Sequence, residues 1–352
     1  MSKPRLSVLD QSPIRTGGSP AQAIGEMLEL AQLCDRLGYH RYWLAEHHGS
    51  PALAGSSPEI LTARVAGLTE RIRVGAGGVM LTHYAPLKVA ENFRMLEALF
   101  PGRIDLALGR APGGDQRTNK ALTVGPVALG IEHYSQQIQR LLEFLDQHAT
   151  GERDRGIHAQ PVGPDQPEVW LLGSSIQSAL YAAELGLPYS FAHFINHHDG
   201  REIMEAYRRQ YCPSETAPRP QASIGVFVIC AETQGEADFL ALSREGLLTD
   251  QRTGFPGPVP EPAAVRDRRF TPPQQRMIDH FRQQVIAGPP LAVHQRLQEL
   301  AETHGAGELV VVTITYDFEA RKRSYELLAD AFELTSVRDI TAVHGHGGAS
   351  DE

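Results

Sequence analysis

The side chains with the most chemical scope in this sequence sit in short clusters, each closing a β-branched or apolar run. Glu46-His47-His48 follows RYWLA, Gly77-Gly78 follows RVGA, Arg110 follows DLALG, and Ser174-Ser175 follows EVWLLG. A carboxylate beside two imidazoles can hold or move a proton. On an extended segment neighbouring side chains point to opposite faces, so His47 and His48 do not suit one shared metal ion. One faces the strand ends and the other the strand–helix packing, and either by itself could be a structural histidine. Glu46 could fix a tautomer or accept a hydrogen bond from a heterocyclic N–H. Gly75, Gly77 and Gly78 point to close backbone approach near a ligand, since glycine weakens a strand interior. Arg110 could grip a phosphate through its planar fork. Ser174 and Ser175 open a helix, where free amides and the dipole favour an anion; a plain N-cap is the simpler role. The sequence holds no G-x-G-x-x-G, P-loop or G-x-S-x-G pattern, which speaks against dinucleotide, nucleotide and nucleophilic-hydrolase sites.

These clusters need a scaffold that brings strand ends together. Strand-like runs occur at 5–9, 41–45, 72–81, 104–108, 168–172, 189–194, 223–230 and 308–315. Helical periodicity marks 20–37, 58–68, 87–100, 177–185 and 318–332. Alternating β and α segments predict parallel strands, and eight in series favour a closed (β/α)8 TIM barrel over an open sheet. The active face of such a barrel is where strands end. Asp10-Gln11-Ser12, His193, Asn196 and Thr315-Tyr316 fall there with the clusters above. Residues 111–130 read as a long loop. A stretch of about 235–290, proline-rich from 250 onward, reads as a lid insertion before the last strand, and its Arg266, Arg268 and Arg269 could draw an acidic substrate or face water. Residues 1–335 are expected to form one domain and 336–352 a disordered tail.

The balance of 33 Lys and Arg against 42 Asp and Glu leaves a formal charge of −9, which argues against a nucleic-acid partner. Three cysteines without metal or disulfide spacing suit a reducing compartment. The N-terminus lacks an apolar signal core, and the longest uncharged run, 169–183, is shorter than the ~20 residues a membrane span requires. A cytoplasmic protein away from the membrane is the expectation.

The runs RYWLAEHHGSP (41–51), VGAGGVMLTHYAPLKVAENFRMLEALFPGRIDLALGRAPGG (74–114) and ELVVVTITYDFEARKRSYELLADAF (308–332) resemble the luciferase-like flavin-dependent monooxygenases, over nearly the whole chain. The resemblance implies a TIM barrel with a lid and reduced FMN supplied by a separate flavin reductase. It further implies oxygen chemistry on a small organic substrate, and a homodimer through the second and third helices. By position, Glu46 and a non-prolyl cis Gly77–Gly78 peptide would contact the flavin ring. Arg110 with Ser174-Ser175 would hold the phosphate, with Arg117 a candidate second arginine. His47 would act as catalytic base or stabilise a peroxyflavin. The same resemblance leaves two alternatives: a deazaflavin-dependent reductase transferring hydride, or a flavin-binding protein without catalysis.

Overall fold

The structure, a computed structural model, describes residues 3–110, 113–122, 133–146, 157–213 and 217–335. The expected tail and part of the loop expected at 111–130 lie outside them. The strands are β1 (Arg5–Asp10), β2 (Arg41–Leu44), β3 (Arg73–Met80), β4 (Ile104–Gly109), β5 (Glu168–Gly173), β6 (Tyr189–Ala192), β7 (Ala222–Cys230), β8 (Val285–Gly288) and β9 (Glu308–Val312). All pair in parallel, and β1 to β7 followed by β9 close into a TIM barrel because β9 bonds both β7 and β1. The ninth strand, β8, bonds only the upper end of β7, Phe227 to Cys230, while the lower end of β7 carries β9.

The helices of the first five strands are α1 (Pro20–Leu37), α2 (Pro58–Ala66), α3 (Pro86–Leu99), α4 (Gln116–Leu122), α5 (Tyr134–Leu145) and α6 (Ile176–Glu184). The rest are α7 (Gly200–Gln210), α8 (Gln234–Arg252), α9 (Pro262–Arg266), α10 (Pro272–Gln283), α11 (Pro290–His304) and α12 (Phe318–Ala331). Local chemistry sets their ends. Ser19 caps α1 by accepting from the Gln22 amide at 3.2 Å, and Gly38 closes it in the left-handed region at φ 87°.

One sequence expectation changes here. The stretch 111–130 is not loop throughout, since Gln116–Leu122 is helical. The expected insertion is built from α8, α9, α10 and β8. Its prolines start helices, Pro262 and Pro272 standing in the first turns of α9 and α10, where no amide hydrogen bond is lost. A bridge between Arg15 and Val259 ties this insertion to the loop after β1.

Strand alternation sorts the core into two layers. Tyr42 and Leu44 of β2 face the helices, whereas Trp43 faces the barrel interior against Trp170, ring centroids 5.4 Å apart. The lower interior is ionic. Arg41 reaches Asp105 at 2.9 Å, Glu308 at 2.9 Å and Glu168 at 3.2 Å, and Arg73 adds a second contact to Asp105 at 2.6 Å. The indole N–H groups of Trp43 and Trp170 donate to Asp105 and Glu168, both at 2.9 Å. Buried charge thus plugs the floor of the barrel, the two tryptophans cover that plug, and Trp43 borders the space above it. Among the described residues no helix is long and apolar enough to cross a membrane.

Candidate active site

Above the tryptophans a cavity of about 370 Å³ opens at the strand ends. It is lined by His47, Gly77, Gly78, Arg110, Ser174 and Ser175, together with apolar side chains of β1, β5 and the segment after β6. Six of the seven expected site residues therefore share one wall, spread over the adjacent strands β2, β3, β4 and β5. The seventh, Glu46, does not line it. Its carboxylate is fully buried on the other face of β2, accepting from Tyr84 Oη at 2.6 Å, His48 Nε2 at 2.6 Å and the Met80 amide at 2.9 Å. The period-two alternation that aims His47 into the cavity aims Glu46 and His48 out of it. Glu46 pins the start of the turn after β3, which carries the glycine wall.

His47 is held by its backbone, whose amide donates to Gly55 O at 2.8 Å. Its ring is largely buried, and among the described residues its Nδ1 has no hydrogen-bond partner. Burial, and to a lesser degree the neighbouring His48, push its pKa down to about 4. The imidazole is therefore neutral near pH 7, with a ring nitrogen left for a ligand.

The Gly77–Gly78 peptide is cis. Neither residue has room for a side chain: a Cβ on Gly77 would lie 2.7 Å from Trp43 Cβ, and one on Gly78 would lie 2.6 Å from Ala107 O. A flat peptide surface, rather than side chains, faces the cavity there. Across from it, Arg110 donates through Nη1 to Gln177 Oε1 at 3.1 Å, which holds the guanidinium at the first turn of α6. Ser175 is the N-cap of α6 in a capping box with Ser178, so the plain capping role is real. The first-turn amides still lack carbonyl partners within the helix and open on the cavity, an arrangement that suits an anion.

Of the other strand-end residues, Gln11 joins the cavity lining and the rest are engaged elsewhere. Asp10 is buried and paired with Arg321 at 2.9 Å, fixing α12 to β1. Thr315 binds Asp317 O, Asn196 binds Ser174 O, and His193 lines a separate cleft. Arg117 lies on α4 away from the cavity lining. Arg266 pairs with Asp267 and Arg268 with Asp250, and Arg269 is exposed, so the solvated reading of that basic run holds. Sequence reading overlooked Trp43, Leu172, Phe194, Ile195 and Gln177. Trp43 was within reach, because alternation through RYWLAEH puts it on the face of His47. Nothing local marks Phe194, whose position depends on packing against Phe227 at 5.4 Å.

The whole constellation suits a flat heteroaromatic ring bearing an anionic tail: a glycine peptide wall, an imidazole with an unsatisfied nitrogen, apolar sides, and a guanidinium beside a helix N-terminus. Comparison with known proteins bears on which ring. The family model described as luciferase-like monooxygenase matches residues 5–307. An uncharacterized protein of Bacillus subtilis (strain 168), YwcH, is 46% identical over 329 residues, covering 93% of this chain and 98% of its own. The N-acetyl-S-alkylcysteine monooxygenase of the same organism is 35% identical, covering 93% and 98%. The crystal structure of apo-MsnO8 superposes with a TM-score of 0.86 at 38% identity, covering 95% of this chain and 98% of that one. Two structures that share the fold hold different cofactors. They are the oxygenating constituent of 3,6-diketocamphane monooxygenase of Pseudomonas putida with FMN and an F420-dependent secondary alcohol dehydrogenase with an F420–acetone adduct. Their TM-scores are 0.68 and 0.66, at 17% and 13% identity, covering 96% and 94% of this chain and 100% and 99% of theirs.

Proposed function

Because the chain belongs to the luciferase-like monooxygenase family, we propose that it is an FMN-dependent oxidoreductase that uses reduced flavin and dioxygen to oxidise a small organic substrate. The observation that carries this reading is one cavity that combines the neutral His47 imidazole and the cis Gly77–Gly78 wall with the Arg110–α6 anion cup. When bound, reduced FMN supplies two electrons and, with dioxygen, one oxygen atom for the substrate and one for water.

The residues divide the remaining work. Arg110 and the first-turn amides at Ser174-Ser175 hold the phosphate. The glycine wall lets a ring lie directly against the backbone. Leu9, Leu172 and Phe194 exclude water from the reacting face. His47, uncharged near neutral pH, takes or returns a proton at its unpartnered nitrogen. A separate flavin reductase supplies the reduced cofactor in this reading. The first test is a titration of the purified chain with oxidised and reduced FMN and with a deazaflavin. FMN is expected to bind, and Arg110→Ala to weaken it about tenfold or more by removing a charge-assisted phosphate contact. Binding of the deazaflavin alone would move the chain to hydride transfer, and binding of neither would sink the flavin reading.

The reading includes a homodimer through α2 and α3. Ile60, Met95 and Leu99 stand out on those helices at 67%, 52% and 59% exposure, an apolar set at an otherwise polar surface. Sedimentation of the wild type is expected to give a dimer, and Met95→Glu with Leu99→Glu a monomer. A monomeric wild type would remove this part of the proposal.

A further inference from the structure

A second cavity, of about 700 Å³, lies between α8, α10 and the segment after β6. Phe194 and Ile195 line both cavities, so the two spaces adjoin through this pair of side chains. At the far side stands Arg244, which is 2% exposed. Its guanidinium rests over the Phe227 ring at 4.0 Å and donates through Nη1 to Phe281 O at 3.0 Å. Among the described residues its Nε has no partner and it forms no ion pair. The adjacent carboxylate of Glu245 is already engaged by Arg282, at 2.7 and 3.0 Å. Arg252 and Arg276 stand exposed at the rim, also without an ion pair among the described residues, and no acidic side chain lines the space.

A buried guanidinium has five donors and a full charge, and one backbone carbonyl meets neither need. The other buried arginines are better met: Arg94, likewise without an ion pair among the described residues, donates to three backbone carbonyls, those of Gly163, Asp165 and Leu145. Arg41 has three carboxylates and Arg321 has Asp10. Burial also draws the Arg244 pKa down to about 10, which leaves it charged at neutral pH. A counter-ion arriving with a ligand would satisfy what the protein leaves open. We infer that Arg244 is a subsite for the anionic group of the substrate. The substrate class is then an organic monoanion, a carboxylate or its equivalent, whose apolar stem passes Phe194 and Ile195 towards His47. Arg252 and Arg276 serve as an entry field, and Phe227 and Phe281 supply the apolar walls of the slot. This inference builds on the oxidoreductase reading by naming what the reaction acts on, but its binding step can be measured without any flavin.

The test is calorimetric titration of the flavin-free full-length chain with 3-phenylpropanoate and with the uncharged 3-phenylpropanamide. The acid is expected to bind about tenfold or more tightly than the amide, the scale of a charge-assisted contact in a dry site. Arg244→Met is expected to erase that preference while FMN affinity stays within about threefold, and Arg244→Lys to keep part of it. Should Arg244→Met fail to fold, Arg244→Lys and the rim pair Arg252→Ala with Arg276→Ala carry the test, each lowering affinity for the acid but not for the amide. Equal binding of acid and amide, binding of neither at millimolar concentration, or an unchanged preference in the Arg244 variants would overturn the inference. A chain that prefers the acid yet binds no FMN would retain the subsite and lose the flavin reading; FMN binding without acid preference would do the reverse.

Discussion

Replacing His47 by Gln is expected to lower turnover of any substrate the wild type oxidises by about 10²–10⁴-fold, the range for loss of a positioned acid–base group. FMN affinity should change little, because the phosphate cup is built on β4, β5 and α6 rather than on β2. The acid limb of the wild-type pH profile supplies the sharper test. Burial holds the imidazole pKa at about 4, below the ordinary value of about 6.5. A base acts in its unprotonated form, so kcat/KM should stay level down to about pH 5 and fall about tenfold per pH unit below 4. A limb near 6.5 would mean that the ring is solvated and that its pocket is open to water. Stability carries the same sign. The depressed pKa favours the neutral folded form above 6.5, and that contribution is lost as the pH falls from 6.5 towards 4. His47 alone accounts for about 3 kcal/mol across that window, and His193, also drawn down to about 4 by burial, acts in the same direction. Urea unfolding at pH 7 and pH 4.5 measures the difference.

The second large effect lies at the other end of the barrel. Arg41→Met should cost about 3–5 kcal/mol of stability, because it strands buried carboxylates rather than merely removing a contact. Asp105 and Glu308 are 0% and 1% exposed. Without Arg41, Asp105 keeps Arg73, but Glu308 is left with Arg5, whose side chain is half exposed, at 3.3 Å. Arg41, Asp105, Glu168 and Glu308 stand at the starts of β2, β4, β5 and β9, so one guanidinium ties together four strands that meet only when the barrel closes. The denaturant midpoint should drop at nearly constant slope. Adding Glu308→Leu should recover part of the loss, since the apolar replacement removes the stranded charge. A single variant within 1 kcal/mol of wild type would show the network to be dispensable. Trp43 and Trp170 donate into this network, and Trp43 also lines the site above it.

Much of this architecture is written in short-range pattern. The eight barrel strands are apolar runs buried on both faces, and such runs separated by amphipathic helices leave parallel pairing as the outcome. The site residues were legible for the same reason: in this topology the residue after each strand lies at one end of the barrel. His47, Gly77, Gly78, Arg110, Ser174 and Ser175 follow that rule into one cavity. The rule fails for Asp10 and Thr315, which also end strands but turn to partners on the helical side or along the chain. Period and position say that a residue reaches the rim, not which neighbour is already waiting there.

What the sequence determined by itself was therefore the order of elements, the end of the barrel that carries chemistry, and the alternation that separates His47 from His48. Tertiary structure alone decided what meets the Glu46 carboxylate on that outer face, because Tyr84 and the Met80 amide arrive from β3 and the turn beyond it. It alone decided that Arg244, rather than the conspicuous Arg266, Arg268 and Arg269, is buried beside a cavity with one backbone carbonyl and, among the described residues, no counter-ion. Local spacing places a side chain on a face; whether its charge is met depends on groups many residues away that only packing brings near.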